Sequence, residues 1–308
     1  MIDLGGFYVR LGAIALMLLL GFFLGKKKMI SRKTNKELVN LLLFVFMPAS
    51  LFMAFPNEYS NELLGLFFAG LIGGVIVMTA VAAVAKIIFN GKWYKGESQY
   101  QAQFALIFNN ATFLGYPIVV TTFGDSGVVP YCGFIIAFNI ALFSYGIWLF
   151  KRKIDAKLIL GVATNPNIIA IMLGMVLFLT GWRLPGFVND AIGFVGNITT
   201  PLSVICVGVM LSWASFRILI KKWKLIITAG SQLIIGPVVT WGLLSLLRFP
   251  TEVVQVCTLI QMLPTATSLG LFAMEYGGDV EEASELVTIS TVLSMVTMPV
   301  MVMLLLAT

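Results

Sequence analysis

The sequence predicts an all-α polytopic membrane protein, and its composition carries that prediction. Of the 308 residues, 59% are hydrophobic and only 11% are charged, whereas about a quarter of the residues in soluble proteins are charged. The mean hydropathy is +0.98. Soluble cores stop growing near ~250–300 residues and still need a polar exterior. The chain therefore uses lipid as its solvent.

Apolar segments of membrane-spanning length divide the chain into ten predicted transmembrane helices, here called spans 1 to 10. A helix needs about 20 mainly apolar residues to cross the hydrocarbon layer. The predicted spans are 7–25, 37–55, 62–88, 101–123, 128–150, 164–181, 187–211, 224–247, 252–274 and 284–306.

Basic residues follow the odd-numbered spans 1, 3, 5 and 7, and this asymmetry predicts the orientation. Seventeen of the 20 Lys and Arg residues lie on that side, and only Arg10, Arg183 and Arg248 lie opposite. Positively charged loops stay in the cytoplasm, so both termini are expected outside a cell (plasma) membrane. The net charge of +6 is then an insertion signal, and no nucleic-acid partner is expected.

Five spans per half predict two inverted repeats, because an odd number of crossings turns the second copy upside down. Residues 111–115 read A-T-F-L-G and residues 266–270 read A-T-S-L-G, in the equivalent spans 4 and 9. The expected repeats are 1–150 and 151–308.

Spans 4 and 9 are also expected to be broken crossover helices. Pro117 and Pro264 each remove a backbone N–H donor and clash with the carbonyl four residues back, which lipid tolerates only where protein or water satisfies the freed groups. A broken helix exposes a half-helix N-terminus, whose N–H groups and positive dipole end attract anions. Paired breaks therefore predict an anion site without a basic side chain.

Polar side chains cluster at the same breaks, and an unpaired amide costs several kcal/mol in lipid. They are expected to face a bundle interior or a watery cavity, whereas Gln232 in span 8 is expected to serve packing. The predicted substrate-binding residues are Asn109, Asn110, Thr112, Pro117, Gln261, Pro264, Thr265 and Thr267.

Missing residue types exclude other classes of protein. The chain has no histidine, and no charged residue lies near the middle of a predicted span, so we expect no enzyme, no catalytic residues, no metal site and no resident cofactor. Sodium or a proton remains an open choice of coupling ion. Cys132, Cys206 and Cys257 are widely spaced in apolar stretches, which indicates core residues rather than disulfides.

Two stretches resemble the auxin efflux carrier family, which includes the plant PIN-FORMED carriers and bacterial malonate or malate carriers. The first is N-A-T-F-L-G-Y-P at 110–117. The second is P-T-A-T-S-L-G-L-F-A-M-E-Y at 264–276, which is similar to a family pattern of proline followed by Phe-Ala-x-Glu-Tyr. The resemblance implies that Asn110, Pro117 and Pro264 lie at the crossovers, where the family binds a carboxylate.

The same resemblance implies a scaffold of spans 1, 2, 6 and 7, through which subunits form a homodimer. Spans 3–5 and 8–10 would form a mobile transport domain that moves by rocking or as an elevator. Plant members carry a long hydrophilic loop between the halves, whereas only 151–165 connect them here. Thr265 also stands where plant members tend to have glutamine.

These observations predict a secondary transporter for a small organic anion, a mono- or dicarboxylate of the auxin, malate or malonate kind, working by alternating access. The lipid bilayer and a small carboxylate are the expected partners. Two alternatives stay open: a sodium-coupled organic-anion symporter of the bile-acid type, and a membrane sensor that binds without transporting.

Overall fold

A computed structural model describes residues 4–55, 59–91, 94, 96–152, 161, 163–213 and 222–306. The described part of the chain is helical, with one isolated antiparallel bridge between Asn109 and Thr265. The connection expected between the two halves lies mostly outside the described residues.

The described residues of the first half form eight α-helices and three π-helical turns. In order they are α1 (Leu4–Lys26), α2 (Arg32–Leu41), π1 (Leu42–Phe46), α3 (Met47–Phe52), α4 (Asn61–Ile88), α5 (Glu97–Ile107), π2 (Ala111–Gly115), α6 (Tyr116–Phe123), α7 (Asp125–Ala141), π3 (Leu142–Gly146) and α8 (Ile147–Lys151).

The described helices of the second half contain no π-helical turn. They are α9 (Pro166–Thr180), α10 (Gly186–Asn197), α11 (Thr199–Ser212), α12 (Trp223–Leu246), α13 (Thr251–Gln261), α14 (Ser268–Tyr276) and α15 (Val280–Leu305).

Seven helices of the described chain are long and apolar enough to cross a membrane, and they coincide with predicted spans 1, 2, 3, 5, 7, 8 and 10. Predicted span 6 corresponds to the shorter α9. Spans 4 and 9 are each divided, span 4 into α5 and the π2–α6 segment, and span 9 into α13 and α14. The all-helical membrane class is confirmed, and the interruptions fall in the two spans predicted to be broken.

Local sequence explains how α9 begins and ends. The side chain of Asn165 accepts hydrogen bonds from the backbone N–H groups of Asn167 and Ile168, and Pro166 occupies the first helical position, where its missing N–H costs nothing. Gly181 ends the helix with φ +66°, a conformation that favours glycine.

Glycines allow two helix pairs to approach backbone to backbone. Gly70 of α4 and Gly133 of α7 face each other's helix, and a Cβ atom added at either would collide with backbone atoms of the partner helix. Gly21 of α1 and Gly208 of α11 make the same kind of contact. In lipid the hydrophobic effect does not drive helices together, so close van der Waals packing holds them. Small residues allow this packing because they let the two backbones approach closely.

An aromatic cluster underlies the interruption of span 4. The ring centroids of Phe104 and Phe108 are 4.7 Å apart, and Phe108 meets Phe138 of α7 edge to face at 5.8 Å. Phe104 also contacts Phe272 of α14 at 5.5 Å. All but Phe272 are fully buried, so α5 is held by both halves of the chain.

The three cysteines are free and buried, as the sequence predicted. We expect a maleimide to leave Cys132, Cys206 and Cys257 unmodified in the folded protein and to label all three after denaturation in sodium dodecyl sulfate. Intact mass spectrometry before and after denaturation measures this directly. Rapid labelling of the native protein would contradict the burial.

Candidate functional site

The interruptions of spans 4 and 9 lie against each other and complete each other's backbone hydrogen bonds. The N–H of Asn110 donates to the carbonyl of Pro264 at 2.6 Å, and the N–H of Ala266 donates to the carbonyl of Phe108 at 2.9 Å. An irregular backbone at membrane depth persists only where protein satisfies its polar groups. Each extended segment supplies those partners for the other.

Side chains from α12 and α15 complete the second interruption. Gln232 donates from Nε2 to the carbonyl of Leu263 at 2.6 Å and accepts from the Thr265 hydroxyl at 3.0 Å. The Ser290 hydroxyl accepts from the N–H of Thr265 at 3.1 Å. All three side chains are buried, so this network fixes the path of the chain between α13 and α14.

Asn109 and Gln261 form a buried amide pair that joins the two interruptions. The Asn109 Nδ2 donates to Gln261 Oε1 at 2.8 Å, and each residue is 1% exposed. The Asn109 Oδ1 and the Gln261 Nε2 have no partner among the described residues. Exchanging oxygen and nitrogen in both amides preserves the bond and still leaves one amide N–H group and one carbonyl oxygen unpaired. Unpaired buried groups of this kind indicate a ligand or water.

Two half-helices begin at the interruptions. Asn110 caps the first, its side chain accepting a hydrogen bond from the N–H of Phe113 at 3.3 Å. The second begins at Ser268 without a side-chain cap. Thr112 and Thr267, in the first turn and at the N-cap respectively, are half-buried. Each half-helix therefore begins, at its positive dipole end, beside a threonine.

The place where the interruptions of spans 4 and 9 pair, 108–110 with 264–266, is here called the crossing. A cavity of about 400 Å³ adjoins the crossing and is bounded by α1, the π2–α6 segment, α11 and α15. Its walls include Ile14 and Leu18 of α1 and Ile118 of α6. Leu263 and Pro264 line it from the interruption of span 9. The volume falls within the range of ~300–1,000 Å³ of small-molecule sites.

Polar groups contribute little to the wall of this cavity. The Ser294 hydroxyl donates to the Thr291 carbonyl at 2.8 Å, and the Thr291 hydroxyl donates to the Val287 carbonyl at 2.6 Å. No charged residue is among the described residues that line it. Leu19 and Met295 line the cavity and are 52% and 48% exposed, so one side of it is open at the surface of the protein.

Arg10 connects α1 to the far end of the first half-helix. Its Nη1 donates to the carbonyls of Thr121 at 2.8 Å and Thr122 at 3.2 Å. The last carbonyls of a helix lack intrahelical partners and carry the negative end of its dipole. This guanidinium therefore caps the C-terminus of α6 and ties the helix to α1.

Charged groups that the structure describes at the start of α15 anchor it to α5 and α12. Lys222 Nζ lies 2.6 Å from Glu285 Oε2, and this hydrogen bond raises the pKa of the Lys222 ammonium group. The Ser98 hydroxyl donates to Glu282 at 2.7 Å. The acidic side chains of Glu282 and Glu285 thus make specific contacts at one end of the helices.

The predicted site residues take three kinds of position. Asn109, Gln261 and Thr265 enter the buried network, and Asn110 and Pro264 meet through the backbone. Thr112 and Thr267 are half-buried near the half-helix N-termini. The structure thus brings together most of the predicted residues, namely Asn109, Asn110, Thr112, Gln261, Pro264, Thr265 and Thr267.

The prediction that Pro117 breaks span 4 is wrong in position. The interruption is at 108–110, and Pro117 lies inside the helical segment that follows, near the N-terminus of α6. The wider π-helical turn before Pro117 moves the carbonyls that its ring would meet. Pro130 and Pro237 likewise lie inside continuous helices.

Sequence reasoning missed three residues of this region. It assigned Gln232 to packing, and it singled out neither Ser290 nor the contact of Arg10. Each acts on a segment far away in the chain. A polar residue within a predicted span was the available signal for Gln232 and Ser290, because such residues need partners in lipid.

Interrupted helices that pair inside a helical membrane bundle are an arrangement found in membrane transporters. Comparison with known proteins agrees. The sequence profile of the family "Membrane transport protein" matches this chain twice, over residues 7–159 and over residues 150–302. The chain belongs to this family, the auxin efflux carrier family.

Two curated relatives match over nearly the whole chain, and a third matches over part of it. An uncharacterized transporter from Methanothermobacter thermautotrophicus is 23% identical, over 93% of this chain and 94% of its own length. An uncharacterized transporter from Methanocaldococcus jannaschii is 20% identical, over 92% and 93%. A Rhizobium meliloti protein named as a proposed malonate transporter is 24% identical over 63% of each chain. These names describe membrane transporters and not enzymes.

Proposed function

We propose that the protein is a secondary transporter that moves a small organic anion, a mono- or dicarboxylate, across the cell membrane by alternating access. The observation that carries the proposal is the pair of interruptions held together by reciprocal backbone hydrogen bonds. Half-helix N-termini at such a crossing attract an anionic group without a basic side chain. The relative named for malonate transport supports the carboxylate class.

The proposed architecture is ten transmembrane helices in two inverted repeats, 1–150 and 151–308. Two successive matches to the family support it, as do interruptions in the fourth and ninth spans. In the proposed scaffold, α1 packs on α11 and α3 packs on α9. In the proposed transport domain, α4 packs on α7, and α12 packs on both α13 and α15. Homodimerisation would use the scaffold.

The proposed substrate site combines the two half-helix N-termini with the buried amide pair of Asn109 and Gln261. The carboxylate lies near the two half-helix N-termini, where Asn110, Thr112 and Thr267 offer polar groups. The Asn109–Gln261 pair leaves one amide N–H group unpaired, and this group is available to a carboxylate oxygen. Thr265 and Pro264 hold the second half-helix in place.

Uptake into proteoliposomes tests the function. Malonate, malate, succinate and indole acetate are offered with and without sodium and a pH gradient, and counterflow is measured with the labelled anion. Saturable counterflow supports a carrier, with both termini outside the plasma membrane as the proposed orientation. A strict sodium requirement favours the bile-acid type of symporter. Binding without counterflow by folded, inserted protein favours the sensor.

Two substitutions at Asn110 separate its capping role from anion binding. Asn110→Asp keeps a capping oxygen but places a negative charge at the proposed carboxylate site, so we expect normal folding and at least ~tenfold weaker uptake, about 1.4 kcal/mol. Asn110→Ala removes the cap as well, which costs ~0.5–2 kcal/mol of stability. Initial uptake rates and thermal unfolding measure the two effects.

Asn189→Ala, at a half-buried position of α10, is the matched control and is expected to leave both measurements unchanged. Wild-type uptake by the Asn110→Asp protein would argue against a carboxylate at this half-helix.

A further inference from the structure

We propose that Arg10 is a latch between two groups of helices, and that its contact with α6 is made and released in each transport cycle. The hydrogen bonds from Arg10 Nη1 to the carbonyls of Thr121 and Thr122 are here called the Arg10 latch. The inference rests on the proposed function and deepens it, because it names a residue that controls access to the space between the two groups.

The packing of the described helices defines the two groups. The first contains α1–α3 with π1 and α9–α11, which is the proposed scaffold, and the second contains α4–α8 with π2 and π3 and α12–α15. Helices pack mainly within their own group. The main contacts between the groups are those of α6 with α1 and α11, and of π2 with α11. A movement of one group against the other therefore has to release the second part of span 4 from α1 and α11.

The cavity of about 400 Å³ lies along the boundary between the groups. Leu11 and Ile14 line it from α1, whereas Ile118 lines it from α6 and Met298 from α15. Leu11 follows Arg10 directly in α1, so the latch lies beside this cavity, near the beginning of α1. The proposed orientation places that end of the bundle outside the membrane. Release of the latch should admit water to the cavity from that end.

The last three carbonyls of α6 have different kinds of partner. That of Phe123 accepts from the hydroxyl of Ser126, three residues further on, at 2.8 Å. Those of Thr121 and Thr122 accept from Arg10, which is more than 100 residues away in the chain and belongs to the other group. The negative end of the α6 dipole is thus bound by a charge that leaves when the groups separate.

The chemistry of the latch allows both holding and release. A charged donor makes a stronger hydrogen bond than a neutral one. The side chain of Arg10 is exposed, so water can replace each partner when they separate, and no charge is left buried. The Tyr8 hydroxyl also reaches the second group, donating to the carbonyl of Pro299 in α15 at 3.4 Å. The contacts of α1 with the second group near its beginning are therefore polar and reversible.

Labelling of a reporter cysteine tests the latch. Ile118→Cys places a thiol on the cavity wall at a position that is 4% exposed. A membrane-impermeant maleimide is added to the full-length protein in lipid nanodiscs, and peptide mass spectrometry gives the labelling rate. We expect Arg10→Ala to raise the rate at the reporter about tenfold. Arg10→Lys should raise it less, because a lysine can also bind the last carbonyls of a helix.

Controls separate release of the latch from loosening of the whole protein. Arg248→Ala removes the same charge at an exposed position after α12, and should leave the rate unchanged. Cys132 and Cys257 are both 0% exposed within the second group, and should stay unlabelled in every variant. Equal reporter rates with and without Arg10 overturn the inference. Labelling of Cys132 and Cys257 together with the reporter also overturns it, because general loosening then explains the result.

Cross-linking tests whether the latch has to release during transport. Arg10→Cys and Thr122→Cys are combined and joined by a short bismaleimide that contains a reducible disulfide. We expect counterflow in proteoliposomes to stop in the cross-linked protein and to return after reduction. The same protein modified with a monofunctional maleimide should keep its counterflow. Unimpaired counterflow by fully cross-linked protein overturns the inference.

The two tests distinguish this inference from the proposed function. Lack of carboxylate counterflow by folded wild-type protein would overturn the proposed function, and the reporter labelling would still decide whether Arg10 closes the boundary between the groups. Normal wild-type counterflow with no effect of Arg10 substitution or cross-linking would overturn the latch while carboxylate transport stands.

Discussion

Gly133→Ala is expected to separate α4 from α7 and to lower the free energy of unfolding by ~3 kcal/mol or more, at the upper end of the range for overpacked interiors. The added Cβ would lie 2.6 Å from the backbone nitrogen of Leu71 and would collide with the carbonyl oxygen of Phe67. Backbone atoms cannot rotate away as a side chain can. The whole helix must therefore move, and the reciprocal contact at Gly70 is lost with it.

Thermal unfolding in detergent, followed by size-exclusion chromatography, measures this effect. Gly65→Ala is the matched control, because Gly65 lies on α4 with nothing within 4 Å of an added Cβ. Alanine also favours a helix over glycine by roughly 0.5–1 kcal/mol. The control should be neutral or more stable, and equal stability of the two variants would contradict the close approach of α4 and α7.

Gln232→Leu is expected to open the interruption of span 9 and to abolish most uptake. The substitution leaves the carbonyl of Leu263 and the hydroxyl of Thr265 without their partners in a buried site. Each unsatisfied group costs about 1–3 kcal/mol. Because Gln232 contacts residues on both sides of Pro264, its loss frees the segment that positions the second half-helix.

A double-mutant cycle with Thr265→Val isolates the side-chain bond. The two single variants should each be destabilised, and the double variant should lose less than their sum, since it leaves no orphaned group between them. Gln255→Leu, at a half-buried position of α13, controls for the loss of an amide. Additive destabilisation across the cycle would show that Gln232 and Thr265 act independently.

Composition and spacing predicted the membrane class and the positions of most helices. Apolar length is a local property, because each span must satisfy its own backbone in lipid. The paired prolines Pro117 and Pro264, with the polar residues beside them, also predicted which two spans are interrupted. These conclusions needed no knowledge of which helices touch.

Proline positions did not locate the interruption of span 4. Pro130 and Pro237 lie within continuous helices, and Pro117 follows the interruption at 108–110. A proline in a membrane helix is accommodated where neighbouring groups satisfy the freed carbonyl. Whether a helix breaks therefore depends on partners from elsewhere in the chain.

The sequence by itself determined an all-helical membrane protein with two irregular spans and polar residues beside them. Only the tertiary structure decided that the two interruptions pair, that Gln232 and Ser290 hold one of them, and that an apolar cavity adjoins the crossing. The length of an apolar stretch determines, for each segment separately, whether it can cross the membrane. Hydrogen-bond partners and cavities arise between segments far apart in the chain, so their positions follow from how the helices pack.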